Sequence, residues 1–145
     1  MSGSTIRGSC LCGGVVFEMS PPYVFFNQCH CTRCQKSTGS AFGANILVKA
    51  RQFRWLQGEE LVGWWELPEA QYFCTGWCTA CGSKLPWKSR NGKGFLVPAG
   101  ALDDDPEATP DTFLFVGSLY RRLGLASSVM VPPLLLRSSR YPRVI

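Results

Sequence analysis

Ser9-Cys10-Leu11-Cys12-Gly13-Gly14, near the start of the chain, and Cys78-Thr79-Ala80-Cys81-Gly82, in its second half, decide how this 145-residue sequence reads. Two thiolates one or two residues apart project from the same side of a tight turn. Two such pairs complete a tetrahedral zinc set, with zinc–sulfur distances of about 2.3 Å. Gly82 supplies the left-handed backbone that such a knuckle demands. Four thiolates (Cys10, Cys12, Cys78, Cys81) leave no coordination position open, the pattern of a structural site. Metal binding of that kind is folding energy, about 10–16 kcal/mol apparent in small zinc modules.

Working outward, Cys29-His30-Cys31-Thr32-Arg33-Cys34 holds three cysteines with no evident fourth partner. In extended chain, Cys29 and Cys31 share a face while His30, the single histidine, points away from it. A zinc held by Cys29, Cys31 and Cys34 keeps a position for water or a substrate thiol, the open arrangement of a catalytic site. Two other readings stand beside this one. Cys31 and Cys34 have the spacing of a thiol redox pair, although no following long helix gives them that context, and the three thiols also suit plain packing in a core. Cys74 is left over and reads as a buried apolar thiol.

Eight cysteines also permit a disulfide framework. Against it, Met1 to Arg7 lacks the apolar stretch of a secretory signal, and Cys-x-Cys neighbours bridge each other poorly. We therefore expect reduced thiols and a cytoplasmic protein. The longest apolar run, Val129 to Leu136, is too short to span a bilayer, so no membrane partner is expected. The net charge of +5 resides in the last 28 positions, whose arginines are 121, 122, 137, 140 and 143. Positions 1–117 carry ten basic and ten acidic residues, which argues against nucleic acid as a partner. We divide the chain into a zinc-binding domain, 1–117, and a basic C-terminal tail, 118–145.

The apolar pattern is one of short β-branched and aromatic runs: 14–18, 23–28, 42–48, 53–55, 61–66, 71–73, 94–97 and 112–116. Turn residues separate them, among them Pro21-Pro22, Gly58, Pro68 and Asn91-Gly92. One short helix fits, Thr32 to Thr38, with Thr32 capping its start and Gly39 its end. The class is mainly β. Of the five tryptophans, Trp64 and Trp65 are adjacent and read as one inward and one outward ring.

Three stretches carry a family resemblance: Gly8 to Val15, Cys29 to Ser40 and Cys78 to Ser83, supported by Gly100 to Pro106. They resemble the glutathione-dependent formaldehyde-activating family, which includes centromere protein V, over about positions 7–117. The resemblance implies a Mss4-like fold of packed antiparallel β-sheets and two zinc ions per chain. The structural zinc matches Cys10, Cys12, Cys78 and Cys81; the second matches Cys29, Cys31 and Cys34. The implied activity is of the carbon-sulfur lyase type, the reversible joining of glutathione and formaldehyde as S-hydroxymethylglutathione. A pocket for the two glutathione carboxylates needs cations or hydrogen-bond donors, for which Arg33, Lys36, Ser37 and Thr38 are candidates, followed by Lys88 and Arg90. The competing reading is a non-catalytic zinc scaffold with a vestigial second site. After Ser118, where relatives commonly continue with an acidic, tryptophan-containing stretch, this chain is acid-free and arginine-rich.

Overall fold

The computed structural model describes residues 5–118; the basic segment from 119 onward lies outside them. Among the described residues the order is β1 (Ile6–Ser9), β2 (Val16–Met19), β3 (Phe25–Cys29), α1 (Thr32–Thr38), β4 (Gly43–Lys49), β5 (Phe53–Gln57), β6 (Val62–Glu66), β7 (Cys74–Cys78), β8 (Lys84–Leu85), β9 (Trp87–Lys88), β10 (Gly94–Pro98) and β11 (Thr112–Leu114). They form three sheets, ordered β1-β2-β5, β11-β3-β4-β10-β9 and β6-β7-β8. Pairing is antiparallel except for β11, which runs parallel to β3. The mainly β class is as the apolar pattern indicates.

The core lies where the sheets meet. Phe17 and Met19 from β2, Ile46 from β4, Val97 from β10 and Leu85 from β8 are fully buried. Burial of side chains this size contributes about 1.5–3 kcal/mol each. Phe53 stacks on Phe95 at 4.1 Å between centroids and meets Trp55 edge-on at 4.9 Å, locking the first sheet to the second. Cys10 and Cys78 belong to this same packed cluster. The alternation of β3 and β4 divides the central sheet. Phe26 and Ile46 turn into the core, while Phe25, Asn27, Cys29, Asn45 and Leu47 line a cleft on the other side.

Four expectations change. The apolar pattern shows no run at 6–9, yet Ile6–Ser9 is β1. Its pattern is weak because Gly8 must be bare: a Cβ there would lie 2.3 Å from the Phe17 ring and 2.4 Å from the Ala101 carbonyl. Gln71 to Phe73 is not a strand. The strand begins at Cys74, paired with Glu66, and residues 67–73 form the connection, closed by the Leu67 N–H on the Phe73 carbonyl (3.1 Å). The helix cap is Cys31 rather than Thr32: the Cys31 sulfur accepts from the Cys34 N–H at 3.4 Å, while Gly39 ends the helix at φ 67° as expected. Trp64 and Trp65 are both exposed, at 65% and 48%; they lie on β6, an edge strand whose other end, at Val62, packs against the core.

Candidate metal centres

The first cluster joins two knuckles from different sheets. Cys10 follows β1 and Cys78 closes β7, so folding the first sheet on the third brings them together across 68 residues of chain. The knuckles share one construction. The Gly13 N–H returns to the Cys10 carbonyl (2.9 Å), and the Gly82 N–H to the Cys78 carbonyl (2.8 Å), with both glycines at φ above 70°. Ser83 fastens one knuckle to the other, accepting the Leu11 N–H at 2.9 Å and lying 3.2 Å from the Cys81 sulfur.

All four sulfurs, Cys10, Cys12, Cys78 and Cys81, lie within 4.8 Å of one another. The Cys10–Cys12 and Cys12–Cys78 separations are 3.4 and 3.9 Å. Tetrahedral zinc with sulfur at about 2.3 Å sets ligand edges near ~3.8 Å, so the donor set fits that ion. Hydrogen bonding from Ser83 holds the Cys81 thiol down at about 6, favouring the ligating thiolate.

The second cluster is local. Cys29 ends β3, Cys31 caps α1 and Cys34 sits in its first turn, and their sulfurs also lie within 4.8 Å of one another. Hydrogen bonds from Cys29 and Cys34 hold Cys31 at about 2. Reciprocally, Cys31 is the main cause that pushes Cys29 up to about 11, and Cys29 and then Cys31 drive Cys34 higher still. Thiolates this close repel one another, so a cation between them favours ionising all three. All eight cysteines are unbridged, so the disulfide framework is excluded in this structure.

His30 stands outside this trio. It is buried, with its backbone N–H on the Leu114 carbonyl (2.8 Å), its ring tilted against Phe42 at 5.4 Å and its Nδ1 without a hydrogen-bond partner among the described residues. Burial holds the imidazole below its ordinary value, with the Ala41 backbone acting the other way. Cys74 is a buried thiol in β7, 3.6 Å from the Lys88 carbonyl and in neither cluster.

Cys29, Cys31 and Cys34 open onto a cleft of about 1590 Å³. Among the described residues its lining carries five cationic side chains, Arg33, Lys49, Lys84, Arg90 and Lys93, against one carboxylate, Asp103. Asp103 is engaged by the Ser9 hydroxyl (3.0 Å), and Arg90 by Glu66 (3.2 Å). The remaining cations give the cleft a positive potential.

Of the helix candidates, Arg33, Ser37 and Thr38 line the cleft, whereas Lys36 is exposed and Lys88 does not line it. The Ser37 and Thr38 hydroxyls both donate to the Cys34 carbonyl, at 3.2 and 2.8 Å, and so fasten the turn that carries this cysteine.

The sequence pattern does not single out Lys84. It stands three residues beyond Cys81, and its register opposite Trp77 aims it into the cleft. There its Nζ donates to the Thr75 hydroxyl and lies 5.7 Å from the Trp87 ring. Burial lowers its pKa, and the Cys34 thiol, within electrostatic reach, opposes that shift. A lone cation placed just before the apolar Leu85-Pro86-Trp87 is the one signal that points to it.

The family described as glutathione-dependent formaldehyde-activating enzyme matches residues 5–118. The chain belongs to this family. The match takes in both cysteine clusters and every described strand. A crystal structure of a Rhodobacter sphaeroides protein superposes with a TM-score of 0.56, covering 69% of this chain and 91% of its own; at 18% identity it supports the fold alone. No curated protein matches the chain. Among the described residues, no helix is long and apolar enough to cross a membrane.

Proposed function

We propose that this protein is a zinc-dependent enzyme of the carbon-sulfur lyase type that interconverts glutathione plus formaldehyde with S-hydroxymethylglutathione, and that it holds two zinc ions per chain. One observation carries the reading: a three-thiol cluster, one ligand short of a tetrahedral set, lies in the wall of a cation-lined cleft. The cleft volume of about 1590 Å³ exceeds the ~300–1,000 Å³ of ordinary small-molecule sites, so a tripeptide fits. A zinc bound by Cys29, Cys31 and Cys34 supplies an open position that favours the thiolate form of an incoming thiol.

The chain's own residues do the rest. Arg33 on α1 and Lys84 on β8, both lining the cleft, attract the ligand's two carboxylates, with Lys36 adding charge from the exposed side of α1. Ser37 and Thr38 hold the Cys34 turn and border the ligand. The thiolate sulfur adds to the formaldehyde carbon, the carbonyl electron pair moves to oxygen, and the proton given up by the thiol returns there; nothing is oxidised or reduced. Three thiolates against one dication leave the centre at a formal charge of −1, so positioning of the two reactants contributes more than polarisation of the aldehyde. Reduced thiols throughout suit a cytoplasmic setting.

Exchange spectroscopy between free formaldehyde and the glutathione adduct tests the reading directly. The zinc-loaded protein should accelerate exchange above the spontaneous rate. Protein with two zinc ions and no acceleration would refute the enzyme, and one zinc per chain would favour a scaffold with a vestigial second site.

A further inference from the structure

Asn27 and Asn45 sit side by side on the floor of the cleft. They are register partners in β3 and β4, two positions along from the partners Cys29 and Gly43. Asn27 and Cys29 are two positions apart on the strand, so both side chains emerge on one face. Asn27 and Asn45 are each only 8% exposed, and both line the cleft. The Asn27 Oδ1 is buried with no hydrogen-bond partner among the described residues. Buried polar groups are nearly always partnered, and an orphan in a cleft wall marks a place that a ligand or a water completes.

Gly43 connects this pair to the thiols. A Cβ there would lie 3.3 Å from the Asn45 Nδ2 and 3.5 Å from the Cys34 Cβ. The Asn45 amide and the Cys34 side chain therefore flank one bare point on the sheet, with the Thr38 methyl 3.7 Å from it.

We infer that Asn27 and Asn45 form an amide-reading pair, which binds the peptide amide adjoining the ligand's thiol and so selects amide-bearing thiols over simple mercapto acids. A carboxamide both accepts and donates, and two of them in adjacent strands match the N–H and C=O that flank a cysteinyl residue. The inference deepens the preceding reading and rests on a thiol entering at Cys29, Cys31 and Cys34. A leucine at 27 keeps the shape and removes both functions, so discrimination should follow the carboxamide rather than the volume.

The test uses the zinc-loaded full chain with two probes: glutathione, and 3-mercaptopropionate, which has a thiol and a carboxylate but no amide. By calorimetric titration, Asn27→Leu should lose roughly tenfold in glutathione affinity and nothing for 3-mercaptopropionate. Its melting temperature should be no lower than that of the wild type, because the replaced oxygen has no protein partner. In the unmutated protein, the side-chain amide resonances of Asn27 and Asn45 should shift with glutathione and stay in place with 3-mercaptopropionate. Equal losses for both thiols, equal shifts with both, or a lower melting temperature with glutathione affinity intact would each overturn the proposal while leaving the thiol site standing. Wild-type protein that binds neither probe would remove the thiol reading and this inference with it.

Discussion

Cys31 has two roles that one pair of substitutions separates. Its sulfur belongs to the second cluster, and the same sulfur caps α1 by accepting the Cys34 N–H at 3.4 Å. Serine removes the thiolate but is among the best capping residues, whereas alanine removes thiolate and cap together. The difference between Cys31→Ser and Cys31→Ala therefore isolates the cap, because both lose the same metal ligand. A lost cap costs about 1 kcal/mol. For a chain of this size that is about 4 °C in melting temperature, with Cys31→Ser the more stable. Both variants should carry one zinc fewer than wild type and show no acceleration of adduct exchange. Differential scanning calorimetry beside metal analysis reads both effects. Variants that melt together would refute the capping role, and a Cys31→Ser protein that retained the second zinc and full exchange activity would refute the ligand set.

Other perturbations discriminate further. Cys78→Ser, at a fully buried core position, should leave no folded protein by circular dichroism, since a structural zinc contributes about 10–16 kcal/mol against a net stability of about 5–15 kcal/mol. Lys84→Met should weaken glutathione binding about tenfold with little change in the zinc content, because it removes one carboxylate partner and no thiol. His30 is held below its ordinary value of 6.5 mainly by burial, so its stabilising neutral form is fully present above pH 6.5 and is lost as pH falls through the lower folded value. His30→Phe should therefore lose less stability than wild type between pH 6.5 and 5 in denaturant titrations, and parallel curves would contradict the assignment.

The clusters were legible because zinc chemistry is local in sequence: each pair or trio sits within six residues, and thiol spacing leaves few geometries. Strands β2 to β6 and β10 were legible for a similar reason, since runs such as Phe42 to Val48 are long and apolar enough to have one reading. Legibility ended where tertiary contact overrides the local signal. Ile6–Ser9 carries one large apolar residue and is a strand because Gly8 fits beneath the Phe17 ring. Lys84, Asn27 and Asn45 belong to the cleft only through register, and a register between two strands leaves no mark on either strand alone. Cys31 took the cap from Thr32 because the trio sets the helix start, and a thiol in place accepts the N–H that a hydroxyl one residue later cannot reach.

The two clusters divide their roles by the length of chain each one closes. Cys12 and Cys78 are 66 residues apart, and joining them removes conformational freedom from most of the domain. Cys29 and Cys34 span five residues, most of which β3 and α1 already order. Loop-closure entropy grows with the logarithm of loop length, so the long closure restrains the unfolded chain by ~2 kcal/mol more than the short one. That margin adds to burial of Cys10 and Cys78 within the hydrophobic core, a placement Cys31 and Cys34 do not share. The first centre is thus committed to the fold from both sides, by entropy and by packing. The second is tied to one strand end and one short helix, and can give up or exchange a ligand while the core keeps its shape. On the proposed reading a centre that admits and releases a thiol needs that freedom, and the incomplete thiol set lies at the cluster less committed to the core.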